Sequence, residues 1–383
     1  MHSIDSPTVY ANNTALSRFS PSRFLELALV AALAISLPAL AGDSSGFIEF
    51  DVPAAGTGAG QGTTGIGING RGEIIGYYLD ANFVYHAFLR TCDGTITSFD
   101  PPGSQSTVAY GLTEEGGIAG IFHDANSVHH GFLRAADGSF TEINAPGAAT
   151  GAGQGTLAWS IDARGEIFGT YFDENGAWHG YLRAPDGTFT TFDAPGAGTG
   201  AGQGTYAASF DGNNAQEAVG SVVDANNVSH GFRRSADGKF TTFDAPEAGA
   251  GAGQGTQVSG VDAEGGIIGG TIDADNVFHG FQRAADGKFT SFDVAGAGTG
   301  AGQGTFPENI NREGAITGYT VDANNAAHGF LRAPDGRTVT FDAPSAGTGA
   351  GQGTFAASNN VEGAITGAVT DANNVSHGFL RRE

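Results

Sequence analysis

Only one cysteine, Cys92, occurs in the 383 residues, so no intrachain disulfide can form. Stability has to come from packing and backbone pairing. Basic residues are also scarce: 17 Lys and Arg stand against 40 Asp and Glu, a formal net charge of −23. So acidic a chain is a poor partner for nucleic acid or anionic membranes, which need cationic protein. It suits a soluble exterior protein and is compatible with calcium. No helical periodicity shows after the first forty residues or so. Long apolar runs are missing with one exception. Phe24 to Ala41 is apolar except for Glu26, Ser36 and Pro38; it follows Arg18 and Arg23 and ends in Ala39-Leu40-Ala41. A basic flank, a short apolar core and a small-x-small end read as a secretory signal peptide over residues 1–41. The run is short for a bilayer span and carries a helix-breaking proline, so no membrane contact is expected once it is removed. Its two Arg balance Asp5 and Glu26, and the mature chain keeps the whole acidic excess.

Glycine is plentiful, with 64 residues and no collagen period. So is repetition. His-Gly-Phe or a near variant recurs at His86, His130, His179, His230, His279, His328 and His377. The later intervals are near 49 residues; the first is 44, because the loop at Pro102–Ser106 lacks the glycine-rich stretch found in the other links. The third copy reads as four strands: a from Thr156 to Asp162, b from Gly165 to Phe172, c from Trp178 to Arg183 and d from Phe189 to Asp193. Each is short, rich in β-branched or aromatic residues, and bounded by Gly, Asp, Asn or Pro. Asp186-Gly187 between c and d is a tight-hairpin signal.

Four such strands per unit predict an all-β fold, a seven-bladed β-propeller with four-stranded blades. The blades fall near 63–101, 106–144, 156–193, 205–244, 256–293 and 305–342, and the last is 354–383 plus 46–51. The seventh copy stops after strand c, while Phe47-Ile-Glu-Phe-Asp51 resembles a strand d. The N-terminal strand is therefore expected to complete the last blade and close the ring within a domain spanning 42–383, leaving no bare edges. Small residues in strand a (Ala207, Ala208, Ser259, Gly260) suit a crowded strand beside a central channel.

His86-Ala87-Phe88, with the Gly-x-Ile-x-Gly strand and the Phe-Thr-x-Phe-Asp-x-Pro strand, resembles the bacterial extracellular HAF-repeat proteins over roughly residues 46–383. Most copies here read His-Gly-Phe, and the third has Tyr181 in place of Phe. The resemblance implies an exported repeat protein and lends no catalytic residues.

One constellation carries chemistry. An Asp stands six residues before each motif His: Asp80, Asp124, Asp173, Asp224, Asp273, Asp322 and Asp371. A carboxylate or amide stands fourteen residues after the first six: Asp100, Asn144, Asp193, Asp244, Asp293 and Asp342. His377 is expected to meet Asp51 across the closure. Hairpin geometry brings these into Asp–His–Asp rows near one rim. The rows read either as structural ties or as shallow sites for sugar hydroxyls or calcium. Asn144 replaces one Asp with no other visible change. The Asp-Ala-Asn-Asn turns lack the acidic spacing of a calcium loop, and no cofactor is required.

Gly198 to Gly204 is not a phosphate loop, since neither Lys-Ser/Thr nor a helix follows. A single active site belongs where the copies differ. Glu308, Trp159 and Tyr110 in strands a are the candidates for a pocket at the channel mouth, although Glu308 has no partner carboxylate. His123 and His129 are extra to the motif and are expected at the surface; Cys92 is expected to be structural. The primary reading is a secreted, non-enzymatic scaffold that binds surface carbohydrate or another extracellular protein. The alternatives are a propeller hydrolase or lyase using Glu308, and a calcium-dependent structural protein.

Overall fold

The computed structural model describes residues 46–210 and 217–382. The expected signal segment, 1–41, lies outside the described residues. Those described form 28 strands and no helix. The strands fall into antiparallel units ordered a, b, c, d. In the third unit they are Thr156–Ile161, Ile167–Phe172, Trp178–Arg183 and Phe189–Phe192. Strand b begins two residues later than the sequence suggests. Asp162 to Glu166 form a closed turn, Asp162 N–H donating to the Glu166 carbonyl at 3.0 Å, and Gly165 takes its φ of +81° there.

Glycine in the His-Gly-Phe motif makes room for a ring, while in the first unit Ala87 stands opposite Phe99. The strand d phenylalanine lies flat against the glycine: a methyl on Gly378 would sit 2.6 Å from the Phe50 ring, and one on Gly280 would sit 2.7 Å from Phe292. The same phenylalanine meets the next unit. Phe99, Phe243 and Phe292 pack edge-on against Phe132, Phe281 and Phe330. The arginine closing strand c of the next unit then stands over the ring. Arg134 covers Phe99 at 4.8 Å, Arg234 covers Phe192 at 5.0 Å, Arg283 covers Phe243 at 4.7 Å, Arg332 covers Phe292 at 4.6 Å and Arg381 covers Phe341 at 4.6 Å.

Strand Phe47–Phe50 supplies the fourth strand of the last unit, pairing antiparallel with Ser376–Arg381. Phe50 also packs on Phe88 at 6.0 Å and lies beneath Arg90 at 4.9 Å, both in the first unit. Strand a of the first unit, Gly62–Ile68, packs against strand a of both the second unit, Ser106–Leu112, and the last, Gly353–Asn359. Asparagine amides run along the same seam. Asn311 donates to the Asn360 carbonyl at 3.0 Å, Asn360 to that of Asn69 at 2.9 Å, and Asn69 to that of Thr113 at 3.2 Å.

Each unit is bridged to the next by one parallel contact between the start of strand c and the following strand a, as at Trp178 with Gly204. The seam between the first and second units lacks it; the second unit reaches the third through the isolated bridge of His129 with Gly155, and its strands form a sheet of their own. Truncating Phe50 to Ala should cost about 2 kcal/mol, the scale of losing a partly buried ring and its cation–π partner. Urea unfolding should show a loss matching that of Phe292→Ala. An unchanged midpoint would mean that the N-terminal strand does not clamp the last unit to the first.

Candidate functional site

The Asp at the end of each strand b shapes the turn that follows. Asp224 Oδ1 accepts the N–H groups of Asn226 and Val228, both at 2.8 Å, and Oδ2 accepts the Asn226 amide at 3.1 Å. Asp80, Asp124, Asp173, Asp322 and Asp371 do the same. Asp273 accepts from Asp275 and Val277. These donors hold the carboxyls below the usual carboxylate range. At Asp80 and Asp124 the backbone bond to the fourth residue is the largest cause. At Asp173, Asp224, Asp273, Asp322 and Asp371 burial opposes the shift, and the combined hydrogen bonds outweigh it.

Each motif His lies between this turn and strand d. Nδ1 meets the following carboxylate at 2.8 Å for His86 and Asp100, 2.8 Å for His179 and Asp193, 2.7 Å for His230 and Asp244, and 2.9 Å for His377 and Asp51. His279 and His328 meet Asp293 and Asp342 at 3.1 and 3.0 Å. Nε2 faces the turn Asp more loosely, from 3.3 Å at His279 to 3.9 Å at His86 and His377. Burial opposes protonation of His279, yet its bonds to Asp293 and Asp273 outweigh it and raise its pKa. The second unit corrects one expectation: replacing Asp by Asn144 is accompanied by a change. Asn144 Oδ1 keeps the contact with His130 Nδ1 at 2.8 Å, and Glu142 adds a carboxylate 3.2 Å from the same nitrogen that accepts the Asn144 amide at 2.7 Å. The rows spend their acceptors on their own turns and strands, so they tie strands b, c and d together and leave little for a ligand.

Glu308, Trp159 and Tyr110, which the repeat spacing aligns with one another, share a backbone feature that periodicity alone does not reveal. Every strand a carries a β-bulge, and the residue skipped by the ladder is Ile66, Tyr110, Trp159, Ala208, Ser259, Glu308 or Ala357. A bulge releases a side chain from the pleat and re-aims it. Tyr110 packs on Trp159 at 4.9 Å, and Trp159 on Tyr206 at 5.6 Å. Trp159 is buried in that cluster, Tyr110 lies at its margin, and Glu308 bears electrostatically on Tyr206 from the sixth unit. Glu308 keeps partial solvent contact, while desolvation by the surrounding protein pushes its carboxyl well above the usual range.

A cavity of about 350 Å³ opens over the fourth unit, and none of the sequence candidates lines it. Trp178 and Tyr206 give it an aromatic wall; Ser221, Asn227, Ser229, Gln254 and Gln257 give it polar edges. Ser229 donates to the Thr256 carbonyl, Ser221 Oγ accepts Val258 N–H, and the Asn227 amide oxygen accepts from Gln203. The Gln257 amide, the Asn227 N–H₂ and the Ser221 hydroxyl hydrogen have no partner among the described residues. No charged side chain lines the cavity. Its signal in the sequence is the residue before each motif His, the variable series Tyr85, His129, Trp178, Ser229, Phe278, Ala327 and Ser376.

That series corrects a second expectation. His129, expected at the surface, is 4% exposed. It stands edge-on to the half-buried His123 at 4.2 Å, and neither of its ring nitrogens has a hydrogen-bond partner. Cys92, expected to be structural, is exposed on the hairpin after strand c. Among the described residues no group of three or more His, Cys, Asp or Glu is placed to hold a metal ion.

No family model matches the chain, and no curated protein does. The HAF-repeat resemblance therefore remains one of motifs. Solved structures do match. The BP39L lectin from Burkholderia pseudomallei superposes with a TM-score of 0.55 at 11% identity, over 81% of this chain and 92% of the lectin. The β-propeller domain of the Trilobed protease from Pyrococcus furiosus gives 0.51 at 9%, over 82% and 93%. Puromycin hydrolase gives 0.50 at 15%, over 80% of this chain and half of the hydrolase. At such identities these likenesses speak to fold alone: an all-β, propeller-like assembly of four-stranded units.

His129 makes a pH prediction. Burial, then repulsion from His123 and His130, drops its pKa from 6.5 to about 3. Below 6.5 the unfolded chain takes up a proton that the folded chain refuses, so stability falls on acidification. At about 1.4 kcal/mol per pH unit, the loss by pH 3 is about 4–5 kcal/mol. His129→Phe should add about 1–2 kcal/mol at pH 7 by removing the unpartnered polar ring, and should flatten the acid limb. Urea unfolding at pH 7 and pH 4 measures both; an equal acid loss in the variant would exonerate His129.

Proposed function

We propose that the protein is an exported, non-catalytic scaffold, a closed propeller of seven blades completed by its N-terminal strand, that binds neutral carbohydrate. The cavity over the fourth unit carries this reading. A pyranose offers one face of C–H groups and a rim of hydroxyls. An aromatic wall takes the first, and the unspent amide and hydroxyl groups of Gln257, Asn227 and Ser221 take the second. In a chain of net charge −23, an uncharged lining favours a ligand without charge of its own. The volume suits one or two sugar residues, the size of a chain end or a branch.

The hydrolase alternative rests on Glu308, whose raised pKa would suit a general acid. No second carboxylate lies at a bulge position to complete an acid–base pair, and a partly wetted Glu308 is consistent with a wall residue. The calcium alternative has to use turn carboxylates whose oxygens already accept backbone N–H groups.

Ser229→Phe tests the reading by filling the cavity with the side chain that the fifth unit carries at this position, Phe278. Binding to a glycan array should be lost, with circular dichroism unchanged. Glu308→Gln should bind as the wild type does. His230→Ala should lose about 1 kcal/mol of stability and keep its glycan. Retained binding in Ser229→Phe, or lost binding in Glu308→Gln, would move the site to the channel.

A further inference from the structure

Six of the seven inter-unit seams are covered in the same way. The N–H of the residue before the motif His donates to a glutamine carbonyl in the next glycine-rich link. The pairs are His129 with Gln154, Trp178 with Gln203, Ser229 with Gln254, Phe278 with Gln303, Ala327 with Gln352 and Ser376 with Gln61, at 2.7–2.9 Å. Two residues earlier a turn residue in the left-handed region offers its carbonyl to a glycine N–H of the same link. Gly153 donates to Ser127, Gly202 to Gly176, Gly253 to Asn227, Gly302 to Asn276, Gly351 to Asn325 and Gly60 to Asn374, at 2.7–3.0 Å. The link lies as an extra, glycine-rich strand over the seam.

The seam between the first and second units has no such cover. The second unit's link is five residues shorter and turns straight into its strand a, Gln105 N–H donating to the His123 carbonyl. The Tyr85 N–H and the Phe83 carbonyl, equivalents of the bonded pair elsewhere, are left without partners among the described residues. The side chains here differ as well. Trp178, Ser229, Phe278 and Ala327 are buried beneath their links and Ser376 is partly buried, whereas at the uncovered seam Tyr85 is partly buried against Tyr77 at 5.2 Å. Phe83 is 49% exposed and holds a φ of +62°, which costs a bulky residue about 1–2 kcal/mol. At this turn position Asn227, Asn276, Asn325 and Asn374 accept a glutamine amide from their own links, and Phe83 gives that bond up. A strained, exposed aromatic that contributes so little to the fold is where a binding role is looked for.

We propose that this seam is an acceptor groove for an extended, glycine-rich peptide segment of another protein, which takes the place of the missing link. The six covered seams define what fits. The segment presents a carbonyl to the Tyr85 N–H and an N–H to the Phe83 carbonyl, adding a short strand to the edge. Glycine is required because the link residue that donates at the covered seams holds a left-handed backbone, with φ +75° at Gly153 and Gly202, +82° at Gly253 and +81° at Gly302. The rings of Phe83 and Tyr85 cover the bare backbone. This groove is separate from the cavity over the fourth unit and does not depend on the carbohydrate reading.

The probe is the peptide Gly-Thr-Gly-Ala-Gly-Gln-Gly-Thr, the sequence of residues 198–205. With the full chain labelled with nitrogen-15 at its nine tyrosines, the peptide should shift the Tyr85 amide resonance saturably. The same peptide with alanine at every glycine should not. Phe83→Asn should weaken binding about tenfold, by loss of the ring contact, while raising the melting temperature. Lengthening Pro102–Ser106 to a full glycine-rich link should abolish the shift. The proposal is overturned if Tyr85 does not respond, if the alanine peptide binds equally, if Phe83→Asn binds unchanged, or if a neutral oligosaccharide produces the Tyr85 shift and the peptide does not.

Discussion

Most of this structure hangs on a phenylalanine held between three partners; strand d of the second unit carries Ile143 in its place. The outer-strand ring lies on the glycine of the neighbouring strand in its own unit, meets the core aromatic of the next, and is covered by that unit's arginine. A four-stranded sheet cannot bury both faces alone, and each unit exposes a row of aromatics until another unit arrives. The clamp is what joins them. It explains the order of the motif: His holds strand d through its carboxylate, Gly admits the ring, and Phe receives the ring of the preceding unit. At the last unit the ring is Phe50, contributed from the other end of the chain and covered by Arg90 of the first.

A frame so demanding divides the residues into two classes. The Asp turns, motif histidines, outer phenylalanines and link glutamines are committed to holding the units together, and they repeat with little change. What varies is what the frame does not need: the bulged residue of strand a and the residue before each His. Copies of one sequence thereby carry Trp, Ser, Phe, Ala, Tyr and His at equivalent places around one end of the assembly. Seven similar rims therefore do not imply seven similar sites. The cavity over the fourth unit exists because Ser221 and Ser229 are small where the third unit has Thr170 and Trp178.

Much of the frame was legible in the sequence because it is repetitive. Strand order, hairpins, the His pairing with Asp fourteen residues on, and the likeness of Phe47–Asp51 to a strand d all follow from spacing and alternation. The site was far less legible. Periodicity treats a bulged residue as one more strand position, so Tyr110, Trp159 and Glu308 could be aligned with one another and picked out as odd but not recognised as bulged. His129 was misread because it stands outside the motif beside His130, while its position beneath a link dictates burial. Glu142 escaped notice because it reaches His130 from the adjacent same-face position of strand d, two residues before Asn144, rather than from the aligned one.

The shortened first interval shows how a symmetric frame yields an asymmetric surface. In most repeat arrays a new site needs new side chains on an existing face. Here the loss of five residues from one link uncovers backbone groups that the other six copies keep occupied, and the neighbouring side chains have changed to match. The fold tolerates the loss because strands a of the two units still pack together and Arg134 still covers Phe99 across the same seam. The parallel bridge is thus dispensable while the aromatic clamp remains. A seam that keeps its clamp but drops its cover is structurally secure and chemically open, the combination a binding edge requires.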